Sequence, residues 1–215
     1  MAAAAFNAAS LTQVAGTNLT TFNGALNTNG AAGISLTGNQ FTFNAPVVTT
    51  NAGGVTLANT GLVTIAGAAD MNLDGAFAQN GVGAVSTAGD ITTTGDSILF
   101  NGAVTLTGAV ALDTTNTVAA GANITFNSTI NGGQALTLTA GTSGDVTMTG
   151  AAGGITPLAS VTVASADAIS ANSVTTTGAQ TYNANDMTLT GSHYNSTIAG
   201  AILFNADVAS AVAAV

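Results

Sequence analysis

Residues 91–108, ITTTGDSILFNGAVTLTG, return without a gap as residues 174–191, VTTTGAQTYNANDMTLTG, with eight identities in eighteen positions at an offset of 83. The same offset relates FTFNAPV (41–47) to ITFNSTI (124–130) and VTIAGAA (63–69) to VTMTGAA (146–152), while Phe22 and Phe100, like Phe126 and Phe204, lie 78 apart. A chain that copies itself at a near-constant spacing is tightly constrained, because each copy must pack against the same kind of neighbour. Within each copy, apolar anchors recur every 21 to 26 residues, as in Phe22, Phe43 and Ile65 and again in Phe100, Phe126 and Met148. Three short strands per such period predict stacked coils, about four to each 83-residue unit.

The local pattern agrees. VTLTG (104–108), LTLT (136–139), VTMTG (146–150) and MTLTG (187–191) alternate apolar residues with Thr, the period of a short strand with one face inward. The 27 glycines and 21 asparagines interrupt the chain too often for a helix of ordinary length. Of ten Phe and Tyr residues, eight are followed directly by Asn: Phe6, Phe22, Phe43, Phe100, Phe126, Tyr182, Tyr194 and Phe204. This pairing predicts an inward ring at the end of a strand and an Asn turning the corner, either in the left-handed conformation or by bonding to the backbone, with Asn ladders between coils.

The expected fold is therefore all-β, a parallel β-solenoid of about ten coils with short termini outside it. It forms one domain over 1–215, with internal repeats at about 41–123 and 124–206. At about 4.8 Å per coil the rod would be about 45 to 50 Å long. A globular β-sandwich accounts for short strands and turns but not for the repeated phrases.

Composition narrows the function. The chain has nine Asp and no Glu, Lys or Arg, a net charge of −9, so stability must come from burial, backbone hydrogen bonds and neutral polar ladders. Phosphate recognition lacks its usual cations, which argues against a nucleic-acid partner, as it does against attraction to an anionic membrane. No apolar run reaches the roughly 18 to 20 residues of a membrane helix, and MAAAAFNAAS (1–10) does not read as a signal peptide. No Cys is present to form a disulfide or thiolate site. The absence of tryptic sites would suit a protein that persists outside a cell.

The candidate sites are few. His193, in GSHYNS, is the only histidine, and catalysis would require a nucleophile and an orienting acid beside it. DMNLDG (70–75) copies the opening of a calcium loop through Asp70, Asn72 and Asp74, but its twelfth position is Gly81 instead of Glu. Alternation alone places Met71 and Leu73 inward with the polar residues in water. The Gly-Asp pairs at 89–90, 95–96 and 144–145 read as turns. Thr-rich triplets at 92–94, 105–107, 137–139, 147–149, 175–177 and 188–190 resemble an ice-binding pattern, but their spacings do not share one period. No catalytic, cofactor or metal residues are assigned, and the chain is expected not to be an enzyme.

Residues 124–183, from ITFNSTINGG through LTLTAGTSGDVTMTGA and PLASVTV to VTTTGAQTYN, resemble the strand repeats of filamentous-haemagglutinin-like secreted proteins and related large bacterial adhesins. The likeness is strongest over 91–208 and fainter over 11–90. It implies a right-handed parallel β-helix at the bacterial cell surface, acting in adhesion, aggregation or fibre formation, and carries no catalytic residues with it. The family's chains run much longer, so this one is either a piece of a longer chain or a short subunit that regains length by assembling, and assembly is the expectation. Its apolar ends, MAAAAFNAA (1–9) and ADVASAVAAV (206–215), have no Lys or Pro to block strand pairing and are expected to accept another copy. The alternatives are a monomeric glycan- or ice-binding module and, further off, a carbohydrate-active β-helix.

Overall fold

The computed structural model describes residues 4–211 as an all-β parallel solenoid of ten stacked coils. Each full coil contributes to three faces. In coil 5, Ile91–Thr93, Ile98–Phe100 and Val104–Leu106 lie on faces 1, 2 and 3. Most strands are three residues long and read in-out-in, because three corners must be turned within one coil of about 22 residues. Every ladder between named strands is parallel, joining a strand to the equivalent strand one coil away.

Inward residues stack into columns. On face 1 one column starts Phe6, Leu26, Val47, Met71 and Ile91, and ends Val163, Tyr182 and Phe204. Face 2 carries Phe77, Ile98, Ile124 and Val146 in one column and Gln79, Phe100, Phe126 and Met148 in the next. Face 3 stacks Phe41, Val63, Val85 and Val104, then Ile130, Ala152 and Val174. The two anchor series read from the sequence, Phe22–Phe43–Ile65 and Phe100–Phe126–Met148, are both such columns. Their rings stack with centroids 5.2 Å apart in Phe22–Phe43 and 5.3 Å apart in Phe100–Phe126.

The two series stand on different faces, which refines the expected value of about four coils per unit. Ile91 lies on face 1 of coil 5, whereas its counterpart Val174 lies on face 3 of coil 8. Phe41 on face 3 of coil 2 corresponds to Ile124 on face 2 of coil 6. The offset thus advances the chain by three coils and two faces, or eleven strands. An inward residue meets the same surroundings on each side of a three-sided coil, so a duplication need only conserve whole strand-and-turn units.

The Asn expectation divides in two. Asn23, Asn44, Asn101 and Asn127 follow their strands at corners, while Asn7, Asn183, Asn195 and Asn205 lie within strands. None is left-handed; among the described residues Asn51 alone of the asparagines has positive φ, at 57°. Their side chains bridge coils instead, with Asn44 Nδ2 donating to Asn23 Oδ1 at 2.8 Å and Asn127 Nδ2 to Asn101 Oδ1 at 3.3 Å.

Polar residues also enter the core. Gln79 is fully buried, and its Nε2 donates to Asn59 Oδ1 (2.6 Å) and to the carbonyls of Gly81 (2.8 Å) and Gly83 (3.2 Å). Its Oε1 accepts from the backbone N–H groups of Asn101 (3.0 Å) and Gly102 (2.8 Å). Every group on this amide is satisfied, which is the condition for burying it. The chains approach so closely here that a Cβ on Gly102 would lie 2.0 Å from the Gly83 carbonyl oxygen.

Candidate interface at the open ends

The columns stop abruptly at both ends. Every strand from Leu26–Thr28 through Gln180–Leu189 contains at least one buried residue, but those of coil 1, Phe6–Ala8, Leu11–Gln13 and Leu19–Phe22, contain none. The same holds for Tyr194–Ser196 and for Ile202–Ser210, which forms coil 10 over faces 1 and 2. Phe6 is 41% exposed, whereas Phe100 and Phe126 in the interior are 1% exposed. Residues 1–3 and 212–215 of the apolar ends lie outside the described residues. Among the described residues each end is a largely apolar cross-section bordered by strand edges against which no further coil packs.

These edges carry the polar groups that a further coil would use. Asn205 Nδ2 donates to Asn183 Oδ1 at 2.7 Å, and Asn27 Nδ2 donates to Asn7 Oδ1 at 2.8 Å. In both pairs the upper coil, nearer the C-terminus, donates to the lower. Beneath Phe204 the Tyr182 ring is stacked at 5.3 Å, and the Tyr182 hydroxyl donates to Gln180 Oε1 at 2.9 Å. Burial raises the Tyr182 phenol well above its ordinary range, with Tyr194 adding to the effect. Tyr194, one coil below the top, is raised by burial against hydrogen bonds that pull it down.

The candidate sites read from the sequence occupy other places. Met71 and Leu73 point inward and Asn72 is exposed on face 1, as alternation required. Asp74 Oδ2 accepts from Ala52 N–H at 2.9 Å and its Oδ1 from Thr94 Oγ1 at 2.8 Å, while Asp70 Oδ1 accepts from Asp90 N–H at 3.0 Å. These carboxylates tie neighbouring coils together. The Ala52 and Thr94 bonds hold the Asp74 carboxyl below its ordinary value. Among the described residues there is no group of three or more His, Cys, Asp or Glu that could hold a metal ion. Asp90 and Asp145 act similarly at other corners, accepting from Ala111 N–H at 2.7 Å and Ala168 N–H at 3.1 Å.

His193 is exposed, with Nδ1 2.8 Å from Ser192 Oγ. No described residue bonds its Nε2, so the pair lacks the third group that would orient the ring. Two surface grooves on face 1 each contain a single carboxylate, Asp74 beside Val48 and Asn72, and Asp90 beside Ala111 and Thr137.

The Thr-rich triplets are dispersed over all three faces. A different set of hydroxyls forms an outward column on face 3: Thr21, Thr42, Thr64, Ser86 and Thr105, each paired with the next. Searching for triplets concealed this column, because it uses one residue per coil and its spacings follow the coil lengths.

No family model, curated protein or solved structure matches the chain. The parallel solenoid fold that the resemblance to filamentous-haemagglutinin repeats implies is present, and none of these comparisons ties the chain to that family.

Proposed function

We propose that this chain is a non-enzymatic structural subunit, exported to the bacterial cell surface or beyond. There it stacks end to end into filaments that serve adhesion, cell-to-cell contact or a biofilm matrix. The observation behind this reading is the pair of terminal coils, where apolar columns and parallel strand edges have no neighbouring coil among the described residues. Edges of this kind recruit strands, and a contact between unlike ends that does not close produces a filament. Its principal partner is another copy of itself, with a host or neighbouring-cell surface as the adhesive target. The reading involves no cofactor, nucleic acid or membrane insertion. Negative-stain microscopy of the purified chain tests it: uniform filaments are expected, and isolated rods about 45 to 50 Å long would overturn it.

The face 3 hydroxyl column favours a second reading, a monomeric module that binds ice or a glycan through Thr21, Thr42, Thr64, Ser86 and Thr105. Thermal hysteresis or a glycan-array signal from a monodisperse monomer would select it.

A further inference from the structure

We propose that the joint between two copies has one register, in which Phe204 and Asn205 of coil 10 pair with Phe6 and Asn7 of the incoming copy. This rests on the end-to-end reading and specifies its contact. The two Phe residues already belong to one column, the face 1 series that begins at Phe6 and finishes with Tyr182 and Phe204. Both are followed by the same residues, in AFNA at 5–8 and LFNA at 203–206. Between them the column is aliphatic at Leu26, Val47 and Ile91, so its rings are concentrated where the solenoid is open. In the proposed register the incoming Phe6, now 41% exposed, extends the Tyr182–Phe204 stack, whose planes are inclined by 13°.

The outward amides make the register specific. Asn205 uses its Nδ2 on Asn183 and Asn7 uses its Oδ1 for Asn27, which leaves Asn205 Oδ1 and Asn7 Nδ2 without a partner among the described residues. These are the two halves of one hydrogen bond. Closing it gives an unbroken ladder, Asn27 to Asn7 to Asn205 to Asn183, with the upper coil donating at every step. Asn44 to Asn23 and Asn127 to Asn101 have the same polarity inside the rod. A slip of two residues would keep every side chain on its side of the strand but would break both the ring stack and the ladder.

Face 2 and the charges accommodate the same contact. Phe6 and Leu11 are five residues apart and Phe204 and Val208 four, so seating Val208 under Leu11 needs a one-residue shift at the corner. Coil 10 already makes such a shift against coil 9, between Asn183 and Asp186. The first Asp of the chain is Asp70, so Asp186 and Asp207 of the upper end would approach coils that carry no charged side chain.

The test uses the fact that the chain has no Cys. Facing residues of parallel strands lie about 4.8 Å apart, within disulfide range. The double variant Asn7→Cys/Asn205→Cys, oxidised after assembly, is expected to give a series of dimers, trimers and longer multimers on a non-reducing denaturing gel. The slipped pair Asn7→Cys/Leu203→Cys, also outward, should stay monomeric there. Filaments that cross-link through 7 and 203, or through neither pair, overturn the register while leaving end-to-end assembly standing. An unmodified chain that forms only isolated rods overturns both. Asn7→Asp supplies a readout independent of cysteine, because it sets a carboxylate against Asn205 Oδ1. It should raise the critical concentration for assembly at pH 7 by about tenfold, with recovery once the carboxyl is protonated. An unchanged critical concentration counts against the register.

Discussion

The middle of the rod and its two ends are made of the same phrases and differ in what those phrases touch. Phe126 has the Phe100 ring below it and Met148 above, and is 1% exposed; Phe6 opens the face 1 column with Leu26 above and is 41% exposed. Gln79 and Gln13 stand in one column on face 2, yet Gln79 is buried in five hydrogen bonds. Gln13 is only partly buried and has a 3.4 Å contact to Thr37 O and a 3.1 Å bond from Thr20 Oγ1. In a solenoid a residue gains most of its stabilisation from the coils on either side, so a coil with a neighbour on one side only is held less firmly than an interior one.

Breaking that contrast gives the largest expected effects. Phe126→Ala should destabilise the isolated chain by about 3 to 5 kcal/mol in a denaturant melt, by lost burial plus the cavity left behind. Phe6→Ala should cost under about 1 kcal/mol in the same dilute melt while shifting assembly to higher concentration. An equal loss at both positions would contradict the contrast. Next comes Gln79→Leu, which orphans the buried Gly102 N–H at about 1 to 3 kcal/mol while the Asn101 N–H keeps its bond to the carbonyl of residue 79, against about 0.5 kcal/mol or less for Gln13→Leu. Chemical denaturation of both variants checks this.

Titration gives finer tests. The Tyr182 pKa is raised on folding, so its buried neutral phenol contributes stability that is fully present below the ordinary value of 10.0 and is lost progressively as pH rises from there through the higher folded value. Thermal melts above pH 10 should show stability falling in the native chain and falling less in Tyr182→Phe. The smallest effect belongs to Asp74, whose pKa is lowered. Its contribution is present above the ordinary 3.8 and disappears as pH falls through the lower folded value, and Asp74→Asn should remove that component from an acid melt.

Much of the solenoid was legible because its core uses two simple periods, alternation along a strand and recurrence along a column. Phe22, Phe43 and Ile65 could be aligned on spacing alone, and they do stack. The face occupied by each phrase was not legible, since the inward pattern of Ile91–Thr93 on face 1 is indistinguishable from that of Val174–Thr176 on face 3. Gln79 and Gln180 were missed for a different reason: a polar residue in an alternating stretch reads as outward until neighbouring coils supply its partners. The ends were legible as apolar and nearly uncharged, with Asp207 the one charged side chain in the two stretches. The matching free halves of Asn7 and Asn205 required the direction of each amide bond, which no spacing records.

The eleven-strand duplication separates two kinds of counting. Folding is indifferent to thirds of a turn, so one strand-and-turn unit of about seven residues can be added or lost and the remaining coils still find equivalent neighbours. The proposed joint is not indifferent, because it sets Phe6 against Phe204 only when whole turns lie between them. A single added unit would rotate one sticky end by a third of a revolution while leaving the rod itself sound, and three added units would restore it. On the proposed joint, polymerisation is the gauge that admits only rods of complete revolutions.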